Sequence, residues 1–154
     1  MADIAPPQFG KPEPGVAYRD RPAAFGIAPR DNKIALVRVT TPDTAPWFDL
    51  PGGALESGED DAQALVREFG EETGLKVSAG ILITRADQLF RLSDGEPVNN
   101  CSGVYAAKIE GADPALKIEE DHELVWFEPL QAVTLLRHDS HAWAVLKWMR
   151  ASAA

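Results

Sequence analysis

Three glutamates, Glu68, Glu71 and Glu72, stand at i, i+3 and i+4 in the run Arg67-Glu68-Phe69-Gly70-Glu71-Glu72-Thr73-Gly74-Leu75. On a helix that spacing gathers the carboxylates into one patch, where like charges cost roughly 0.2–0.5 kcal/mol per pair. A hard divalent cation takes oxygen ligands and would cancel the repulsion. Glutamate-rich helix faces are also commonly just solvated, so the segment in front of the helix matters. There Pro51-Gly52-Gly53 follows the apolar residues Trp47, Phe48 and Leu50. Glycines let a backbone come close to a ligand. A strand, a glycine loop and an acid-bearing helix make the arrangement expected of a metal–phosphate site.

The helix itself is predicted from Ala62, Val66, Phe69 and Thr73, which recur at three- and four-residue steps and would form its apolar face. Asp60 is the expected N-cap, with Gln63 completing a capping box and Gly74 as the stop.

Gly53, five residues, Glu59, seven residues and then Arg67 to Leu75 resemble the Nudix box, the signature of the Nudix hydrolases. Every charged and glycine position is filled. Phe69 stands where the family usually has a branched aliphatic. Gly70 occupies a variable mid-helix position, where it should cost about 1 kcal/mol relative to Ala. The resemblance implies an α/β protein, a Nudix-type α/β/α sandwich with a mixed β-sheet. It also implies a metal-dependent pyrophosphohydrolase using Mg2+, or Mn2+ in its place. Glu68 and Glu72 would be the main metal ligands, Glu71 a further ligand or a water-orienting base, and the Gly53 carbonyl the completion of the inner shell. Glu59 and Arg67 would pair and brace the loop against the helix, a contact that also suits Arg as a bidentate partner of carboxylate.

The implied substrate is a small nucleoside diphosphate linked to another moiety: a nucleoside triphosphate, a dinucleoside polyphosphate or a nucleotide sugar. The proline that marks ADP-ribose hydrolases is absent between Val77 and Leu92, and Phe90 is only a weak hint of the dinucleoside polyphosphate group. The alternative is a catalytically inactive Nudix-like nucleotide sensor. Such modules typically lose a glutamate, whereas Glu59, Glu68, Glu71 and Glu72 are all present, which favours the enzyme. Outside the box, Glu119, Glu120, Asp121 and Glu123 surround His122; Glu120 is the expected additional acid, against a solvated loop as the plain reading. Arg38, Arg85 and Arg91 are candidate phosphate contacts, and Phe48, Phe90 and Trp126 candidate base-stacking rings, although surface charge and core packing are the defaults.

The chain has 154 residues, 45% hydrophobic and 25% charged, enough for one domain with its own core. A net charge of −9 argues against a general nucleic-acid binder. It suits a small polyanion only if metal supplies local positive charge. Cys101 is the single cysteine, so no internal disulfide forms and a reducing, cytoplasmic setting is expected. Residues 1–10 lack the pattern of a signal peptide, and no apolar run approaches a membrane span. Dimers are common among proteins with this resemblance, so a homodimer is admitted.

Residues 1–20, with Pro6, Pro7, Pro12 and Pro14, are expected to be an extended or disordered tail, and 21–154 the Nudix domain. Strands are predicted over Ala23–Ala28, Lys33–Thr40, Trp47–Leu50, Leu75–Leu92, Val98–Ile109 and Glu123–Phe127, with turns at Asp31-Asn32 and Ser93-Asp94-Gly95 and a surface loop over Glu110–Pro114. A short helix over Leu130–Leu136 and a last one over His141–Met149, capped by Asp139, complete the set. In that last helix Ala142, Val145, Leu146 and Met149, widened by Trp143 and Trp148, are expected to pack on the sheet.

Overall fold

The structure, a computed structural model, describes residues 4–153. Nine strands, β1 (Gln8–Phe9), β2 (Arg19–Ile27), β3 (Pro29–Arg30), β4 (Lys33–Thr41), β5 (Thr44–Asp49), β6 (Gly52–Ala54), β7 (Leu75–Arg91), β8 (Pro97–Ala112) and β9 (His122–Phe127), occur among those residues. Three α-helices accompany them: α1 (Asp61–Thr73), α2 (Pro129–Leu135) and α3 (Asp139–Ser152). One sheet runs β1-β7-β8-β2-β6; the other has β4 between β9 on one side and β3 and β5 on the other. The first sheet is mixed, since β2 lies parallel to β8 while β7 and β8 form a long antiparallel pair.

Strand alternation divides the interior into two apolar layers. Ala23, Phe25, Ile27, Ile34 and Leu36 face Ala132, Leu136, Ala144 and Val145 of the α2–α3 side. Their neighbours Ala24, Ala28 and Ala35 face Ala64, Leu65 and Phe69 of α1. The result is an α/β/α sandwich. The α1 layer is built from small strand residues so that a large ring fits: a Cβ on Gly26 would lie 2.7 Å from the Phe69 ring. This accounts for an aromatic residue inside the box.

The α1 caps form as the sequence predicts. Gln63 N–H donates to the Asp60 carboxylate at 2.8 Å, Asp60 N–H donates to the Gln63 amide at 2.9 Å, and Gly74 ends the helix at φ 74°. Of the predicted buried face, Phe69 and Thr73 are buried, but the first half is displaced by one or two positions. Ala62 and Val66 are exposed, and the buried stripe is Leu65, Phe69 and Glu72, with Thr73 beside it. A similar correction applies to α3, where Leu146 and Trp143 face solvent while His141, Ala144 and Val145 are buried. His138, not Asp139, is the α3 cap residue, and it makes no side-chain capping bond.

Several boundaries also move, with β5 starting at Thr44 and α3 running from Asp139 to Ser152. Glu110 to Ala112 continue β8 instead of looping, and β2 begins at Arg19. Within the expected tail, residues 1–3 lie outside the described part, Gln8–Phe9 pairs with Asp87–Gln88, and Glu13 forms an ion pair with Arg91. Among the described residues, no helix is long and apolar enough to cross a membrane.

Candidate active site

The acids gather because α1 turns one carboxylate fully inward and sets another against β6. Glu72 is 5% exposed, and its Oε1 accepts the Gly52 N–H at 2.8 Å. Gly53 lies against Glu68 so tightly that a Cβ there would come within 2.9 Å of the carboxyl group. Gly52 has φ 144°, and a Cβ on it would meet the Ala24 carbonyl oxygen at 2.2 Å. Both glycines are therefore demanded by close approach.

Arg67 organises the neighbouring carboxylates. Its Nε and Nη2 donate to the two oxygens of Glu59 at 2.8 and 2.9 Å, and Nη2 also reaches the Ala54 carbonyl at 3.1 Å. Nη1 donates to Glu68 at 2.9 Å and to Glu71 at 3.2 Å. The Arg67 hydrogen bond holds the Glu59 carboxyl down at about 2. The same contacts raise Arg67 further above its usual range.

Glu68 and Glu72 are shifted the other way, by burial. Burial pushes Glu68 above the usual carboxylate range, against the opposing pull of Arg67. Burial pushes Glu72 up as well, opposed by His122 and the Gly52 amide. His122 Nε2 lies 3.1 Å from Glu72 and its Nδ1 2.8 Å from Asp121. Burial lowers this imidazole, but the two carboxylates outweigh it and raise it overall. Oxygen donors, a glycine backbone and buried carboxyls fit a hard divalent cation.

A second acidic group joins from far along the chain. Ile118 and Glu119 N–H both donate to the Glu71 carbonyl, at 2.9 and 3.0 Å, which hangs this loop on α1. Ligand atoms of Glu119, Asp121 and His122 lie within 4.8 Å of one another. The additional acid expected at Glu120 is corrected to Glu119: Glu119 lines the cleft and Glu120 points to solvent. Neighbours on an extended loop face opposite ways, and the sequence carries no signal for which of the two turns inward.

Gly52, Gly53, Glu68, Glu72, Glu119 and His122 form one side of a single cleft, whereas Glu71 faces Arg67 outside it. The other side comes from Arg21, Phe25, Phe90, Asn100, Arg137, His138 and His141. The predicted arginines lie elsewhere or at its margin. Arg38 reaches Glu123 at 3.8 Å, Arg85 bonds Asp61, and Arg91 pairs with Glu13 beside an adjoining hollow. Arg21 and Arg137 stand in the cleft instead; Arg137 is fixed by Asp49 at 2.7 Å and by the face of Trp47. Of the candidate rings only Phe90 lines the cleft. Phe48 packs edge-on against Phe127, and Trp126 lies under Arg30.

An α/β/α sandwich with a glycine strand laid on an acid-bearing helix is the architecture that the Nudix resemblance implies. The NUDIX domain profile matches residues 20–149, and the chain belongs to the NUDIX family of hydrolases. It is 30% identical to the CTP pyrophosphohydrolase of Escherichia coli (strain K12) over 108 residues, 70% of this chain and 75% of that one. It is 47% identical to an ADP-ribose pyrophosphatase of Methanocaldococcus jannaschii over 53 residues, 34% of this chain and only 31% of that relative's length. The fold superposes on a NUDIX hydrolase from Nitrosomonas europaea with a TM-score of 0.73 at 22% identity, covering 86% and 90% of the two chains.

Proposed function

We propose that this protein is a divalent-metal-dependent pyrophosphohydrolase that cleaves a phosphoanhydride bond in a nucleoside diphosphate linked to another moiety. The observation that carries the reading is the convergence of buried Glu72 and part-buried Glu68 at one cleft, with Gly53 pressed against Glu68. Likeness to the E. coli CTP pyrophosphohydrolase supports ranking nucleoside triphosphates ahead of dinucleoside polyphosphates and nucleotide sugars as the substrates to test first.

Glu68, Glu72 and the Gly53 carbonyl would be the metal-holding groups, and Glu71 would act as a further ligand or water-orienting base only by turning from Arg67 into the cleft. Magnesium, or manganese in its place, neutralises phosphate charge and makes a bound water more acidic. Glu59 does its work through Arg67: the pair fixes the guanidinium, which in turn holds Glu68 and Glu71 in place. The reaction joins a water oxygen to phosphorus and breaks one bridging P–O bond, so positioning and electrostatics dominate.

The test is release of phosphate or pyrophosphate from a nucleotide panel with and without magnesium. Turnover that requires the metal is expected. A silent panel with nucleotide binding intact would instead mark a sensor.

A further inference from the structure

Three deeply buried side chains line the far side of the cleft with polar atoms that no described group of the protein engages. They are Asn100, His138 and His141, which are 3, 5 and 2% exposed. The Asn100 Oδ1 accepts from Arg21 at 2.9 Å, leaving its Nδ2 free. The His141 Nδ1 accepts the Leu50 N–H at 3.2 Å, which puts the proton of the neutral ring on Nε2. Neither nitrogen of His138 has a partner among the described residues. Among the described residues, no side-chain nitrogen or oxygen sealed from solvent lacks a partner. The free nitrogens must therefore reach solvent, and the space their rings line is the cleft.

We propose that Asn100, His138 and His141 form the base-reading end of the substrate cleft, hydrogen-bonding the edge of a nucleobase whose diphosphate lies at the acidic end. The inference rests on the hydrolase reading above for where the diphosphate lies. Polar atoms that face the cleft on otherwise buried side chains, with no protein partner, are placed to bond whatever displaces the cleft water, and three such groups stand together here. Asn100 and His141 present donors, and His138 presents one donor and one acceptor, a set that suits ring nitrogens and carbonyls. Both imidazoles are held neutral by burial, His138 at about 2 and His141 at about 4, so the rings themselves offer hydrogen bonds without charge, and the positive charge on this side belongs to Arg21 and Arg137. Phe90 lies 4.6 Å from the His138 ring and Phe25 lies 4.5 Å from His141, giving a wall of aromatic rings suited to a flat heterocycle.

Ribose hydroxyls carry the same hydrogen-bonding chemistry, so the experiment separates base from sugar. The histidine ring nitrogens are followed by nitrogen-15 NMR in metal-free protein, titrated with the four ribonucleoside monophosphates and their 2′-deoxy counterparts. The expected result is a shift of the His138 and His141 signals, with affinity differing about tenfold or more among bases and about twofold or less between ribose and deoxyribose. His138→Phe keeps a ring against Phe90 and should compress the base range to about threefold, and His138→Asn should restore part of it. The proposal is overturned if no monophosphate moves these signals at millimolar concentration. Affinity that follows the sugar more than the base, or a base range unchanged by His138→Phe, also overturns it. Base-selective binding without magnesium-dependent turnover would remove the hydrolase reading and leave the subsite standing.

Discussion

The two sides of the cleft are both buried and both polar, yet they are built on opposite principles. On the α1 side, ionised groups are crowded together and Arg67 holds Glu59, Glu68 and Glu71 at once. On the α3 side, neutral rings are stacked in contact, with His138 and His141 centroids 5.3 Å apart. A charged wall needs a counter-charge and tolerates little rearrangement, whereas a neutral wall needs hydrogen-bond partners and shape. One end is suited to a reaction and the other to a choice among substrates.

The sharpest way to separate the two walls is Glu72→Gln. It keeps the size of the side chain and removes the charge, so turnover of the best substrate should fall by on the order of 10³-fold. Fold stability should hold, because a buried carboxyl is replaced by a neutral amide. A variant retaining near-full turnover would end the assignment of the acidic wall.

Arg67→Ala tests what keeps that wall together. It strands Glu59, Glu68 and Glu71 without their shared cation, and a loss of about 3–5 kcal/mol in chemical denaturation is expected from breaking a part-buried charge network. A loss below about 1 kcal/mol would reduce the network to an ordinary surface cluster.

The neutral wall should respond to acid. The folded-state values of His138 and His141 lie below the 6.5 of an unfolded histidine. Below pH 6.5 the unfolded chain binds protons that the folded one refuses, so stability falls as the pH drops from 6.5 toward those lowered values. By pH 5 each histidine should remove roughly 2 kcal/mol. His138→Phe should therefore flatten the acid limb of a stability–pH curve, and an unchanged limb would mean the ring takes up its proton while folded.

The smallest effect concerns the helix that carries the charged wall. A Cβ on Gly70 would meet Leu116 at 3.5 Å, an ordinary contact, so Gly70→Ala should raise stability by up to about 1 kcal/mol. Thermal melts showing a loss would reveal a conformational need for that glycine.

The charged wall was legible in the sequence because its parts are local: the caps of α1, the glycines of β6 and the Glu59–Arg67 contact all fall between Gly52 and Gly74. The wall of rings opposite was not, because Arg21, Asn100 and His141 meet only when β2, β8 and α3 are assembled. The misplaced faces of α1 and α3 have a common cause. Each true buried stripe contains a polar residue, Glu72 in one and His141 in the other, which a count of apolar positions passes over in favour of Val66 or Leu146. The polar residues that line the cleft are thus the ones that break the simple pattern.

The loop that delivers Glu119 is suspended from the main chain of α1 by two amides sharing one carbonyl. An anchor of that kind ignores side-chain identity at Ile118 and Glu119, so the acid can be exchanged by mutation without unhooking the loop. Proline is the exception at either position, since it has no N–H to give; Ile118→Pro should let the distal acids drift from the helix while leaving α1 and its own glutamates in register.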